Sequence, residues 1–267
     1  MIGLFDSGVG GLSIYSEIKK LMPYVPCIYF ADQAHFPYGE KTEGELKKFS
    51  RCISSFLIEK GAELIVVACN SATVSAINYL RTVFSIPFVG VVPAVKPAAS
   101  ITKTGKIAVL LTTASSKGKT YKELIETWAN GVRVISVRLP ELVEMVENGT
   151  INEPSSKKFL FDKLKNLKEI GIDTIVLGCT HFIFLKDMIT SEFGSTFNIL
   201  DPAEGVAKQT YRVYSLRADM EESRDRQLEN DMFYTSGNSE HLKAFIKDWL
   251  NIDLEGVYSI DLECMKT

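Results

Sequence analysis

The sequence predicts an α/β protein built as two pseudo-symmetric α/β domains, each with a mainly parallel central sheet. Three observations predict it. Short Val- and Ile-rich runs alternate with helical patterns, those runs are apolar almost throughout, and one stretch of the chain echoes another 110 residues downstream.

The runs are expected as strands at residues 2–5, 28–30, 64–68, 88–91, 107–111, 132–137 and 174–177. Continuous apolarity, rather than strict alternation, belongs to parallel strands covered on both faces. Between the second and third runs, residues 44–60 place Leu46, Phe49, Ile53, Phe56 and Leu57 on one face at helical spacing. Strand followed by helix followed by strand is the signature of parallel α/β architecture. Beyond these lie a charged segment from Asp219 to Asp231, read as a solvated connection or helix face, a strand at 232–235 and a helix at 239–250.

The echo pairs Gly61-Ala-Glu-Leu-Ile-Val-Val-Ala-Cys69-Asn-Ser with Gly171-Ile-Asp-Thr-Ile-Val-Leu-Gly-Cys179-Thr-His. A weaker one pairs Ile2-Gly-Leu-Phe-Asp6-Ser7 with Ile107-Ala-Val-Leu-Leu-Thr112-Thr113. Each half then corresponds to an α/β domain of ordinary size. The crossing is expected at Pro93-Ala-Val-Lys-Pro97, where two prolines discourage regular structure.

Composition narrows the function classes. The chain has 267 residues, 46% hydrophobic and 24% charged, as in soluble globular proteins with a substantial core. A net charge of −3 gives no electrostatic reason to expect nucleic acid or an anionic membrane as partner. No apolar run has bilayer length, and the first residues lack the features of a signal peptide, so a cytoplasmic location is expected. The five cysteines are odd in number and none stand as Cys-x-x-Cys. In a reducing cytosol neither a disulfide framework nor a structural zinc site is expected, leaving buried small hydrophobes or reactive thiols.

Both echoed strands end in a small residue, then Cys, then short polar or ionisable residues: Ala68-Cys69-Asn70-Ser71 and Gly178-Cys179-Thr180-His181. Ligands of open α/β sheets bind beyond the carboxyl ends of the strands. Asn70 and Thr180 suit a substrate carboxylate there, especially where a helix begins. A single such cysteine reads as buried structure; two in matching contexts read as a functional pair. Paired thiols suit racemisation, in which one group removes a proton from one face of a carbon while another delivers a proton to the opposite face. Asp6-Ser7-Gly8-Val9-Gly10-Gly11 lacks the dinucleotide-binding spacing, and Asp6 would repel phosphate, so a loop receiving an α-amino group fits better than a nucleotide site; taken alone, a plain Gly-rich turn fits the segment equally well. By itself Pro37-Tyr38-Gly39 reads as an ordinary turn, with a loop able to close over a ligand as the alternative, and His181 as either a structural histidine or a neighbour to the Cys179 chemistry. By pattern alone Glu147 is a solvated helix position. No metal-ligand cluster and no Gly-x-Ser-x-Gly elbow is present in the sequence.

Taken together, Phe5-Asp6-Ser7-Gly-Val-Gly-Gly11, the segment from Phe30-Ala-Asp32 to Pro37-Tyr38-Gly39, Ala68-Cys69-Asn70-Ser71-Ala72, Val91-Val-Pro-Ala-Val-Lys-Pro97, Leu177-Gly-Cys179-Thr180-His181 and Phe233-Tyr-Thr-Ser-Gly237 resemble glutamate racemases of the aspartate/glutamate racemase superfamily. The resemblance covers almost the whole chain. It implies one domain at 1–94 with a returning 206–267, a second at 95–205, and an active site in the cleft between them that closes to exclude water. No cofactor, neither pyridoxal phosphate nor metal, is implied. By matching position, Cys69 would deprotonate D-glutamate and Cys179 L-glutamate, with Asp6 assisting the first, His181 the second, and Glu147 a further catalytic candidate. Asp6, Ser7, Pro37, Tyr38, Gly39, Asn70, Ser71, Thr113, Ser116, Thr180 and His181 would bind substrate. The implied output is D-glutamate for peptidoglycan, from a homodimer without membrane or direct nucleic-acid contact; by resemblance alone, DNA gyrase is a candidate protein partner.

The sequence departs from that pattern in places. Ser71 stands where threonine is frequent and keeps the hydroxyl. Thr113 and Ser116 stand for the two threonines expected after the strand at 107–111. Leu139 precedes Pro140 where cysteine is common, and Phe182-Ile183 replaces Tyr-Pro after His181, predicting a different local turn. The chain begins almost at its first strand, so the N-terminal extension of relatives activated by a cell-wall precursor is not expected. Rival readings are an aspartate racemase and a non-catalytic amino-acid-binding protein.

Overall fold

The computed structural model describes residues 1–217, 231–254 and 256–265. The charged stretch beginning at Asp219 lies, apart from Asp231, outside the described residues. Compact contact divides the chain into one unit formed by Met1–Val91 with Ala203–Thr267 and another formed by Val92–Pro202.

In the first unit, strands β1 (Ile2–Asp6), β2 (Cys27–Ala31), β3 (Leu64–Val67), β4 (Phe88–Gly90), β9 (Met232–Thr235) and β10 (Tyr258–Ser259) form a sheet in the order β10-β9-β2-β1-β3-β4. Every pairing is parallel, as the apolar runs predict. Parallel neighbours need crossovers, supplied by helices α1 (Leu12–Leu21), α2 (Glu43–Glu59) and α3 (Asn70–Val83). The carboxyl ends of these strands therefore share one edge, and the loops after Asp6, Ala31, Val67 and Gly90 meet there. Helix α10 (Ala203–Ser215) packs on α1, and α11 (Ser239–Leu250) follows β9.

The second unit repeats the plan with β5 (Lys106–Leu111), β6 (Arg133–Arg138), β7 (Thr174–Leu177) and β8 (Asn198–Leu200), ordered β6-β5-β7-β8 and again parallel. Its helices are α4 (Val95–Ile101), α5 (Thr113–Lys117), α6 (Lys119–Trp128), α7 (Pro140–Glu147), α8 (Pro154–Glu169) and α9 (Lys186–Phe193). The weaker echo now has a structural meaning: β1 lies beside β3 in one sheet as β5 lies beside β7 in the other.

The glycines of the stronger echo have the same task. Gly61 and Gly171 take φ of 99° and 82° just after α2 and α8, a region open to glycine at little cost. Gly61 N–H bonds to Ile58 O at 2.9 Å and Ala62 N–H to Leu57 O at 3.0 Å; Gly171 and Ile172 repeat the pattern on Lys168 and Leu167. Each is a Schellman stop that turns the chain directly into β3 or β7. At its other end α2 begins with a capping box, Thr42 Oγ1 accepting from Glu45 N–H while the Glu45 carboxylate accepts from Thr42 N–H.

Three expectations are corrected. The Pro93–Pro97 crossing contains regular structure, because α4 places Pro97 in its first turn, where its missing N–H has no partner to lose. The cysteines are not all free: Cys52 on α2 and Cys264 near the C-terminus form a disulfide across 212 residues of chain, a pairing that spacing along the sequence cannot reveal. Strands β8 and β10 were not expected, being only three and two residues long and largely outside the core. Among the described residues no helix is long and apolar enough to cross a membrane.

Candidate active site

Asp6 closes β1 with its side chain fully buried. Its Oδ1 accepts from Gly8 N–H at 2.9 Å and from Ser7 Oγ at 3.4 Å, so the carboxylate organises the turn that follows. Tyr29 Oη donates to Gly8 O at 2.7 Å. The end of this turn sits against the strands so closely that a Cβ at Gly11 would lie 2.8 Å from Asp6 Cβ and 2.9 Å from Ala68 Cβ. A side chain there would push the Asp6 turn away from the end of β3.

Two strands of that edge carry the remaining features of the first unit. After β3, Cys69 is the N-cap of α3 and is 6% exposed. The amino end of a helix favours the negative form of a side chain placed at it. Asn70 and Ser71 open the helix, both buried. Neither the Oδ1 nor the Nδ2 of Asn70 has a hydrogen-bond partner among the described residues. A buried amide with both ends unsatisfied is costly, and calls for an explanation such as a ligand. Thr73 anchors the helix by donating to Val67 O at 3.0 Å and accepting from Val91 N–H at 3.1 Å.

After β2, Asp32 is fully buried and accepts from Tyr38 Oη at 2.5 Å, from Ser236 Oγ at 2.7 Å, and meets His35 Nδ1 at 2.8 Å. Tyr38, Gly39 and Glu40 form a short 3₁₀ turn entered through a cis Phe36–Pro37 peptide; Tyr38 is buried, while Pro37 and Gly39 are half-buried. Burial and the Asp32 carboxylate push the Tyr38 phenol well up from its ordinary pKa, with Cys69 and Asp6 adding in the same direction. The phenol therefore stays a proton donor, and Asp6 and Cys69 each lie within electrostatic reach of it. Asp32 received no role in the sequence reading; its signal was an acid directly after a buried strand, one position beyond the register of Asp6 at the end of β1.

The second unit places its features by the same logic. Gly178 N–H bonds to Leu110 O at 2.7 Å, and a Cβ on Gly178 would meet that oxygen at 2.8 Å and Val109 Cγ1 at 3.2 Å. The residue before Cys179 is thus glycine because β7 approaches β5 too closely for a side chain. Cys179 is 5% exposed and leads into a 3₁₀ turn, Thr180–Leu185, with Thr180 and His181 buried. Phe182 and Ile183 lie within this turn, and α9 begins only at Lys186.

His181 links two elements. Its Nδ1 lies 4.0 Å from Cys179 Sγ and its Nε2 lies 2.8 Å from Glu147 Oε2, the last residue of α7. Glu147 is buried, so the solvated position that helical pattern suggested is overturned: α7 docks on the 180–185 turn and carries the carboxylate inward. Burial opposes the charged imidazole, but the hydrogen bonds to Cys179 and Glu147 outweigh it and raise the His181 pKa well above the ordinary value. With Nε2–H committed to Glu147, Nδ1 can accept from a Cys179 thiol or, protonated, donate to a thiolate. At 4.0 Å the two atoms stand at the limit of a sulfur hydrogen bond, so proton exchange between sulfur and ring requires them to draw closer.

Thr113 and Ser116 lie on α5, beyond the end of β5 and so beside the β7 end that bears Cys179. Both are half-buried, and Ser116 Oγ donates to Thr113 O at 2.7 Å. Thr112 caps this helix, its Oγ1 accepting from Ser115 N–H at 3.2 Å, a role the sequence reading did not assign. The structure thus groups Asp6, Ser7, Pro37, Tyr38, Gly39, Cys69, Asn70 and Ser71 at one sheet edge in the first unit. Thr113, Ser116, Glu147, Cys179, Thr180 and His181 belong to the corresponding edge region of the second.

Comparison with known proteins places the chain among racemases. The chain is 40% identical over 252 residues to a glutamate racemase of Herpetosiphon aurantiacus, covering 94% of this chain and 98% of that protein. It is 39% identical over 247 residues to one of Deinococcus radiodurans, covering 92% and 84%. Its structure is similar to that of Escherichia coli glutamate racemase in complex with L-glutamate and the activator UDP-MurNAc-ala, with a TM-score of 0.85 at 30% identity over 98% of both chains. Residues 3–210 match the family described as Asp/Glu/Hydantoin racemase, and the chain belongs to that family.

Proposed function

We propose that this protein interconverts L- and D-glutamate without a cofactor, Cys69 exchanging a proton with the D-enantiomer and Cys179 with the L-enantiomer at opposite faces of the α-carbon. The observation that carries the reading is the Cys179–His181–Glu147 relay: a thiol beside an imidazole whose proton affinity is raised can be presented as thiolate or thiol as the direction requires. Cys69 has a different setting, the amino end of α3 with Asp6 and Tyr38 nearby.

Removing the α-proton leaves charge that spreads onto the α-carboxylate, and fixed donors aimed at that group lower the barrier most. Asn70 supplies an unpartnered buried amide, while Ser7, Ser71, Thr113, Ser116 and Thr180 supply hydroxyls around the two strand ends. Asp6 suits the ammonium group, and Pro37, Tyr38 and Gly39 form the wall that Asp32 stiffens. The reading carries with it D-glutamate supply to peptidoglycan, a cytoplasmic homodimer and, by family resemblance, DNA gyrase as a candidate partner.

The test is incubation with L-glutamate in D₂O without added cofactor, following optical activity and α-deuterium by NMR. Racemisation with deuterium incorporation is expected for the native chain. Cys69→Ser and Cys179→Ser should each reduce racemisation by about 10²–10⁴-fold, the range for loss of a general acid/base. Full activity in either variant would sink the two-thiol proposal, and exchange with aspartate but not glutamate would reassign the substrate.

A further inference from the structure

The cavity beside the Cys52–Cys264 disulfide includes none of the strand-end residues described above, and the pair plays no part in the proposed proton transfer. Cys52 is on the buried face of α2, whereas Cys264 is exposed in a short 3₁₀ turn, Glu263–Met265. The segment bearing Cys264 is lightly held. Strand β10 pairs with β9 over two residues, Ile260 N–H bonds to Thr235 O at 2.8 Å, and Ile260, Leu262 and Met265 rest on the same apolar core as α2. A cavity of about 710 Å³ opens beside the sulfurs, lined by Lys47, Lys48, Arg51, Tyr79 and both cysteines, with Glu59 as its carboxylate. Three cationic side chains, Lys47, Lys48 and Arg51, thus stand in the lining with the single carboxylate of Glu59, while Glu43 pairs with Lys47 and Glu263 adjoins Cys264.

We propose that Cys52–Cys264 is a thiol–disulfide exchange site served by small anionic thiols, and that it latches the C-terminal strand to α2. The incoming thiolate attacks Cys264 Sγ, the sulfur open to solvent. The S–S bond breaks with its electron pair on Cys52 Sγ, which takes up a proton, leaving a mixed disulfide on Cys264. A second thiol attacks that mixed disulfide and releases Cys264 as a thiol. Two incoming thiols are thereby oxidised to their disulfide while the protein pair is reduced. With the link open, what holds residues 256–265 includes the two-residue ladder, the Ser259 Oγ bond to Gly237 O, the Tyr258–Tyr234 ring contact and three apolar side chains, a lighter hold than the closed link provides. The cationic rim selects anionic over cationic thiols, an effect that salt screens.

The experiment uses the full oxidised chain and needs no activity assay, so it stands or falls independently of the racemase reading. Alkylation after unfolding should find three thiols, Cys27, Cys69 and Cys179, with Cys52 and Cys264 joined in one peptide pair. Reduction is then timed with 2-mercaptosuccinate and with cysteamine at low and high salt. The ratio of the two rates should be at least about threefold higher in the native chain than in the K47Q/K48Q/R51Q variant at low salt, converging at high salt. Amide exchange over 256–265 should rise on reduction, and Cys264→Ser should show that faster exchange without any reductant. Five alkylated thiols in the oxidised chain, an unchanged rate ratio in the variant, or unaltered exchange on opening the link would each overturn the proposal.

Discussion

His181 Nε2 and Glu147 Oε2 stand 2.8 Å apart, joining the turn after β7 to the last residue of α7, with both side chains almost wholly removed from solvent. The carboxylate gives the ring a fixed orientation and a negative neighbour, and burial alone would have driven its pKa down.

Replacing Glu147 with Gln should lower the His181 proton affinity. A histidine whose folded pKa is raised stabilises the fold fully below its unfolded value near 6.5, and loses that contribution as pH rises through the folded value. The variant should therefore be less stable than the native chain below pH 6.5, by about 1.5–3 kcal/mol for a charge-assisted bond, with the gap narrowing at higher pH. Denaturant titrations across the pH range measure it; a gap that widens toward alkaline pH would contradict the assignment. Racemisation should fall about ten- to a hundredfold from the misplaced ring.

Asn70 offers the opposite pattern. Because its amide is buried without a partner among the described residues, Asn70→Leu should leave stability unchanged or raise it by about 1 kcal/mol. The same change should raise KM for glutamate. Loss of stability with unaltered KM would mean that the amide serves the fold rather than a ligand.

Gly178→Ala should be far more harmful than its size suggests. The added methyl would sit 2.8 Å from Leu110 O, so β7 must move away from β5, carrying Cys179 with it. A loss of about 1–3 kcal/mol is expected for such overpacking. Activity should drop about a hundredfold from even a 1 Å displacement of the thiol. Denaturation midpoints and kcat for L-glutamate check it together.

Asp32→Asn removes the charge that Tyr38, His35 and Ser236 share. With no contact to substrate proposed for Asp32 itself, its effect should run through Tyr38: KM rising about tenfold with a smaller change in kcat. Tyr38→Phe should reproduce most of that split. A kcat loss without a KM change would place Asp32 in the proton transfer instead.

The sequence alone determined the two parallel sheets, the strand ends where the candidate residues collect and the matching contexts of the two cysteines. These depend on neighbouring residues: continuous Val/Ile runs demand cover on both faces, and Gly61 and Gly171 stop their helices through local geometry. Resemblance then supplied the residue roles, including Glu147, which helical pattern alone would have left in water. Only the tertiary structure decided who meets whom. Glu147 is buried because α7 docks on the 180–185 turn; Asp32 finds Ser236 across 204 residues of chain, and Cys52 finds Cys264 across 212. Strand β10 is too short to announce itself and exists through its pairing with β9. Local periodicity is written in adjacent side chains, whereas the partner of a buried polar group or a thiol is set by which distant elements the core brings together.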